Sequence, residues 1–130
     1  MSAEGDLDEW AIIQYTTDPP CARLVTDIVG HPAGLICLEE LCERNPDMDE
    51  DAIKEHLSVL YSLQVIEPHA LPAEEQETGY PERFFAITDE AAALFDANDL
   101  FCPEAWGRQY AEAMESDRLA ELASAPRPAV

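Results

Sequence analysis

Apolar residues recur at helical spacing along most of the chain, and the period changes at one place. Between Met48 and Ser62, Ile53, Leu57 and Leu60 fall three and four residues apart, and Ala52, Val59 and Leu63 widen the stripe, so an amphipathic helix is expected. Asp47, Asp49, Glu50 and Asp51 mark its start, where carboxylates cap free N–H groups and suit the positive end of the helix dipole. From Leu63 the pattern changes, and Leu63-Gln64-Val65-Ile66-Glu67 reads as a helix terminus running into a short strand. Upstream, Asn45-Pro46-Asp47 is a tight connection to a helix expected over Leu35–Arg44. Thr16-Thr17-Asp18-Pro19-Pro20 offers a cap and a first-turn proline to a helix over Cys21–Val29, with Ala22, Val25, Ile28 and Val29 inward. Gly30-His31-Pro32-Ala33-Gly34 ends it. Trp10–Tyr15 is an apolar patch, either packed on the protein's own core or an arm that docks on a partner subunit.

The second half repeats the logic with a different outcome. Residues His69–Pro81 carry prolines, a glycine and several glutamates without periodicity, as expected of a hairpin loop between strands near Val65–Ala70 and Arg83–Ile87. Thr88 is placed to cap a helix that runs to about Asn98, with Ala91, Leu94 and Phe95 inward. Pro103 restarts helix, and Trp106, Tyr110, Ala113 and Met114 share one stripe, continued loosely by Leu119 and Leu122. That stripe pairs with its twin in a symmetric dimer, or else packs back on the helix Cys21–Val29. Ala125-Pro126-Arg127-Pro128 reads as an extended tail.

Two helices, a tight turn and a strand are the order of a helix-turn-helix entering a winged helix. Lys54-Glu55-His56-Leu57-Ser58-Val59-Leu60, followed by Leu63-Gln64-Val65-Ile66-Glu67, resembles the recognition helix and exit of ArsR-type winged-helix transcriptional regulators. Arg83–Ala91 is similar to that family's second wing strand and the helix after it. The resemblance spans about Cys21 to Leu100. Gln64 stands where the family has a turn glycine, and the recognition helix is acidic where the family's is basic. What the resemblance implies is a mainly α fold with a small β wing, to which the stripe after Pro103 adds a C-terminal helix expected to serve dimerisation. The expected divisions are an N-terminal arm at 1–18, a winged helix-turn-helix domain at 19–100, a dimerisation helix at 101–124 and a tail at 125–130. A chain cut at Pro103 is then expected to leave a foldable, monomeric winged core.

Charge changes this picture. Twenty-eight acidic residues face seven basic ones, a net charge of −21, and Lys54 is the only lysine. The acids are dispersed over the chain, which suggests a solvated, self-repelling surface rather than a disordered tail. Such a balance resembles proteins of salt-accumulating archaea, where molar KCl shrinks the Debye length to about 3 Å. The expected location is the cytoplasm: no apolar run is long enough to span a membrane, and Met1–Trp10 is acidic and lacks a signal-peptide core.

Catalysis finds no motif, and neither a cofactor nor an enzyme is expected. Cys37 and Cys42, about 140° apart on one helix, do not chelate one ion, and no CxxC exists, so no metal is assigned. Small buried side chains are the plainer account of the four cysteines, with a redox- or metal-responsive regulator through them as an alternative. His31 and His69 are expected in solvent. On the face of the recognition helix away from the core lie Asp49, Glu50, Asp51, Lys54, Glu55 and Ser58, with Arg23, Arg44, Arg83 and Tyr80 as candidate backbone contacts. The expected function is sequence-specific binding of double-stranded DNA by a homodimer at high salt, with K⁺ or similar cations between its carboxylates and the phosphates. The alternative from another class is a winged-helix protein-interaction module of the transcription machinery.

Overall fold

The structure is a computed structural model and describes residues 8–114 and 117–128. Helices α1 (Glu9–Thr16), α2 (Pro19–Gly30), α3 (Leu38–Arg44) and α4 (Glu50–Ser62) precede a hairpin of β1 (Ile66–Ala70) and β2 (Arg83–Ile87). Helices α5 (Asp89–Ala97), α6 (Pro103–Ala113) and α7 (Asp117–Ala123) follow. The strands pair antiparallel from Ile66 opposite Ile87 to Ala70 opposite Arg83. The residues between them form the expected loop, with one short 3₁₀ turn at Ala73–Glu75.

The start of α3 differs from the sequence expectation. Leu35–Cys37 is extended, and Ile36 exchanges both backbone hydrogen bonds with Phe85, at 3.0 and 2.7 Å. This third edge of the wing sheet delays the helix to Leu38, where the Cys37 N–H donates to Glu40 Oε1 at 3.0 Å. Bridge and cap together satisfy backbone groups that a longer helix would have used differently.

The exit of α4 turns through Gln64 at φ 64°, the left-handed conformation for which the resembling family uses glycine. Thr88 then ties the turn to α5: its hydroxyl donates to the Gln64 carbonyl at 2.7 Å and accepts from Ala91 N–H at 3.1 Å. Ile53, Leu57 and Leu60 of α4 are buried with Leu24, Val25, Ile28, Val65 and Leu94 in the main core.

The C-terminal segment belongs to that body rather than standing outside it. Helix α6 lies along α2 and α7 against α3. Tyr110 and Leu119 are buried in the main core, while Leu122 joins Leu35, Cys37, Phe84 and Ala86 beneath the wing. Of the stripe expected to pair across a dimer, Tyr110 is 1% exposed within its own protomer, because α6 covers the apolar face of α2. Trp106 and Met114 remain half-buried, and the side chain of Ala113 lies outside the described residues. The crossing is close enough that a Cβ on Gly30 would overlap the Trp106 carbonyl. A chain cut at Pro103 would lack Tyr110, Leu119 and Leu122, which are buried in the two cores.

Candidate nucleic-acid interface

Helix α4 and the wing enclose a groove of about 640 Å³ lined by Leu38, Lys54, Leu57, Ser58, Tyr61, Pro68, Arg83 and Phe85. Lys54, Ser58 and Tyr61 are four and then three residues apart, so they form one outward stripe. The buried row Ile53, Leu57 and Leu60 holds that stripe at a fixed rotation towards β2. Arg83, the first residue of β2, closes the groove from the other side.

The groove's charge is unlike the rest of the chain. Both of its charged lining residues are basic and none is a carboxylate. The other basic residues are mostly committed elsewhere. Arg23 grips Asp47 with two hydrogen bonds of 3.0 and 2.6 Å, which hold the Asp47 carboxyl below its usual range. Arg44 Nε donates to Asp27 at 2.9 Å and its guanidinium lies 5.3 Å from the Tyr110 ring centroid. Arg118 bridges Glu39 and Glu121, and Arg127 pairs with Glu40. Lys54 reaches Glu50 at 3.1 Å along the exposed helix surface, a contact that holds it weakly. Arg83 and Arg108 have no carboxylate within salt-bridge distance among the described residues.

The sequence-derived candidates therefore separate. Lys54, Ser58 and Arg83 meet in the groove, whereas Asp49, Glu50, Asp51 and Glu55, all exposed, do not line it. Arg23 and Arg44 are occupied by carboxylates, and Tyr80 sits half-buried in the loop beyond the strands. Tyr61, 59% exposed, was absent from the candidates. Its signal was its place on the stripe: an aromatic seven residues past Lys54 on a face that otherwise avoids apolar side chains.

Behind the groove lies a buried ionic cluster that fixes α3 against the wing and the C-terminal tail. Glu40 is fully buried; its Oε2 accepts from His31 Nε2 at 2.6 Å and its Oε1 from Arg127 Nη2 at 2.7 Å and from the Cys37 N–H. The Ala33 N–H donates to His31 Nδ1 at 3.0 Å, which leaves Nε2 to carry the proton given to Glu40. Burial pushes the Glu40 carboxyl up, but His31, Arg127 and the Cys37 N–H outweigh it and hold it below its ordinary value. Arg127 also donates to the carbonyls of Leu35, Leu122, Ala123 and Ala125 and covers the Phe84 ring at 4.9 Å. The expected solvated His31 and free distal tail are thus both corrected, because Glu40 is a buried charge that needs partners.

Two of the four thiols are buried. Burial, with Asp18 adding to it, pushes Cys21 up to about 12, and burial with Glu40 does the same for Cys37, so neither is a thiolate near neutral pH. Cys42 is half-buried and Cys102 exposed. His56 Nδ1 lies 2.7 Å from the Tyr15 hydroxyl, joining α4 to α1. No group of three or more metal-ligating side chains occurs among the described residues.

A solved structure matches this arrangement along its full length: a protein with a GntR superfamily winged-helix-turn-helix domain from Halomicrobium mukohataei. The TM-score is 0.82 at 25% identity, covering 100% of this chain and 92% of that one. The fold is a winged helix-turn-helix. In its terms α3 and α4 are the helix-turn-helix, and β1 and β2 the wing. The match lends nothing to the narrower ArsR-like resemblance. No family model and no curated protein matches the sequence. Among the described residues no helix is long and apolar enough to cross a membrane.

Proposed function

We propose that this protein is a transcriptional regulator that binds double-stranded DNA through α4 and the wing. The observation that carries the reading is the groove's composition. On a chain with 28 acidic and seven basic residues, the helix–wing groove gathers two of the basic ones and no carboxylate. With α4 in a major groove, Lys54 and Ser58 face base edges or phosphates, and Arg83 meets the neighbouring backbone. The ArsR-like motif of α4 and the winged fold both support this placement.

The protein works as a homodimer in this reading, one α4 per half-site. Trp10, 69% exposed on α1, and half-buried Trp106 and Met114 are among the apolar side chains able to join two copies. It operates in a cytoplasm of high salt, with K⁺ or similar cations shared between Asp49, Glu50, Asp51 and Glu55 and the phosphates. Enrichment of duplexes from a random pool in molar KCl, followed by footprinting, tests the proposal. A protected site with two half-sites supports it. Co-purification with large transcription proteins and no enriched duplex supports the interaction module instead.

A further inference from the structure

Resting on that reading, we infer that the groove recognises A·T pairs through the 5-methyl group of thymine, with Tyr61 as the residue that senses it. The stripe aimed at the DNA is Lys54, Ser58 and Tyr61, and the groove floor between it and the wing is apolar: Leu38, Leu57, Pro68 and Phe85. Guanine is the base that cationic side chains favour, by donating to its O6 and N7. Of the two cations in the groove, Arg83 belongs to the wing strand rather than to α4, and Lys54 stands at the N-terminal end of the stripe, seven residues before Tyr61.

The rest of the stripe is the Ser58 hydroxyl and, at its C-terminal end, the exposed ring of Tyr61. The Ser58 hydroxyl hydrogen-bonds either base of a pair, whereas the exposed Tyr61 ring offers apolar surface, and the thymine methyl is the apolar group of the major-groove edge. Contact between these two surfaces needs no cation. It is also not screened by salt, whereas phosphate attraction is. A reader built this way keeps its discrimination under the conditions that the −21 charge implies.

The experiment takes a duplex enriched in molar KCl and replaces its thymidines, one half-site position at a time, by deoxyuridine. This removes the methyl and leaves base pairing intact. Affinity of the full chain is measured by fluorescence anisotropy at a KCl concentration where circular dichroism shows it folded. The expected result is a loss of about four-fold at each contacted thymine, the size of one buried methyl. Tyr61→Ala should bind thymine and uracil duplexes alike, and Tyr61→Phe should retain the difference. Binding that ignores the methyl but falls on replacing guanine by 7-deazaguanine overturns the inference and leaves the DNA-binding proposal standing. Failure to enrich any duplex overturns both.

Discussion

Gln64 turns the exit of α4 with a backbone angle that costs an L-residue about 1–2 kcal/mol relative to glycine. Its side chain is exposed, so replacement loses no core contact. Gln64→Gly should therefore stabilise the protein by about 1 kcal/mol, less any added flexibility of the unfolded chain, measured as a higher thermal midpoint in molar KCl. An unchanged or lower midpoint would show that the turn is not strained. Arg127 offers a larger effect at the same scale. Arg127→Ala leaves Glu40 buried with His31 but without its cation, a defect that costs about 3–5 kcal/mol. Arg23→Ala, which breaks an exposed pair with Asp47, should cost less than about 1 kcal/mol. The pH dependence follows from the depressed Glu40 carboxyl. Its folded value lies below its unfolded value, so its contribution is present above the ordinary glutamate range near 4.3 and is lost as pH falls through the folded value. Asp27 opposes it: burial outweighs Arg44 and Asn45 and raises its carboxyl, a contribution that is lost as pH rises. Glu40→Gln should therefore weaken the acid-side loss of stability in urea unfolding, leaving the opposite contribution of Asp27 visible.

Among the elements, α6 decides how much of the chain is one body. Gly30 and Gly107 stand where α2 and α6 cross, and the missing Cβ of Gly30 admits the Trp106 carbonyl. Gly30→Ala should cost about 1–3 kcal/mol by forcing the helices apart, read as a lower denaturation midpoint with near-unchanged helix content. Neutral behaviour would mean that α6 is only loosely applied to α2. Here the sequence was legible in part. The period of three and four in α4, the proline at the start of α2 and the threonine before α5 are local signals, and the structure places helices where they point. The extended Leu35–Cys37 was hidden because its hydrogen bonds go to Phe85, about fifty residues away. For the Trp106–Tyr110 stripe the pattern left two covers open, a twin in a dimer or the helix Cys21–Val29, since an apolar stripe states that it needs a cover and not which surface supplies it; within the protomer α6 lies on α2. His31, Glu40 and Arg127 looked like loop, helix and tail residues because their meeting is tertiary. In the groove, Lys54, Ser58 and Tyr61 share one face of α4 that is legible from their spacing, whereas the wing residues beside it are brought there by tertiary packing.

At the scale of the molecule, charge governs both folding and association. A net −21 repels itself in dilute buffer, and folding should strengthen as KCl rises towards molar levels. A conventional DNA-binding protein loses affinity steeply over the same range, because it gains from released counterions. This surface presents few cations to phosphate and many carboxylates that take cations up. Affinity among folded samples should hold or rise between about 0.2 M and molar KCl, as mass action requires of a complex that binds salt. A steep fall measured by anisotropy would point to a basic surface larger than Lys54 and Arg83.

The placement of the DNA on the α4–wing groove is tested most directly by one comparison of affinities on an enriched duplex in molar KCl. Wild type is set beside Lys54→Ala, Arg83→Ala and Arg23→Ala, each shown by circular dichroism to be folded. Losses of about ten-fold are predicted for Lys54→Ala and Arg83→Ala, with Arg23→Ala near wild type because Arg23 does not line the groove. Equal affinities for all four proteins, or a loss confined to Arg23→Ala, would contradict the account.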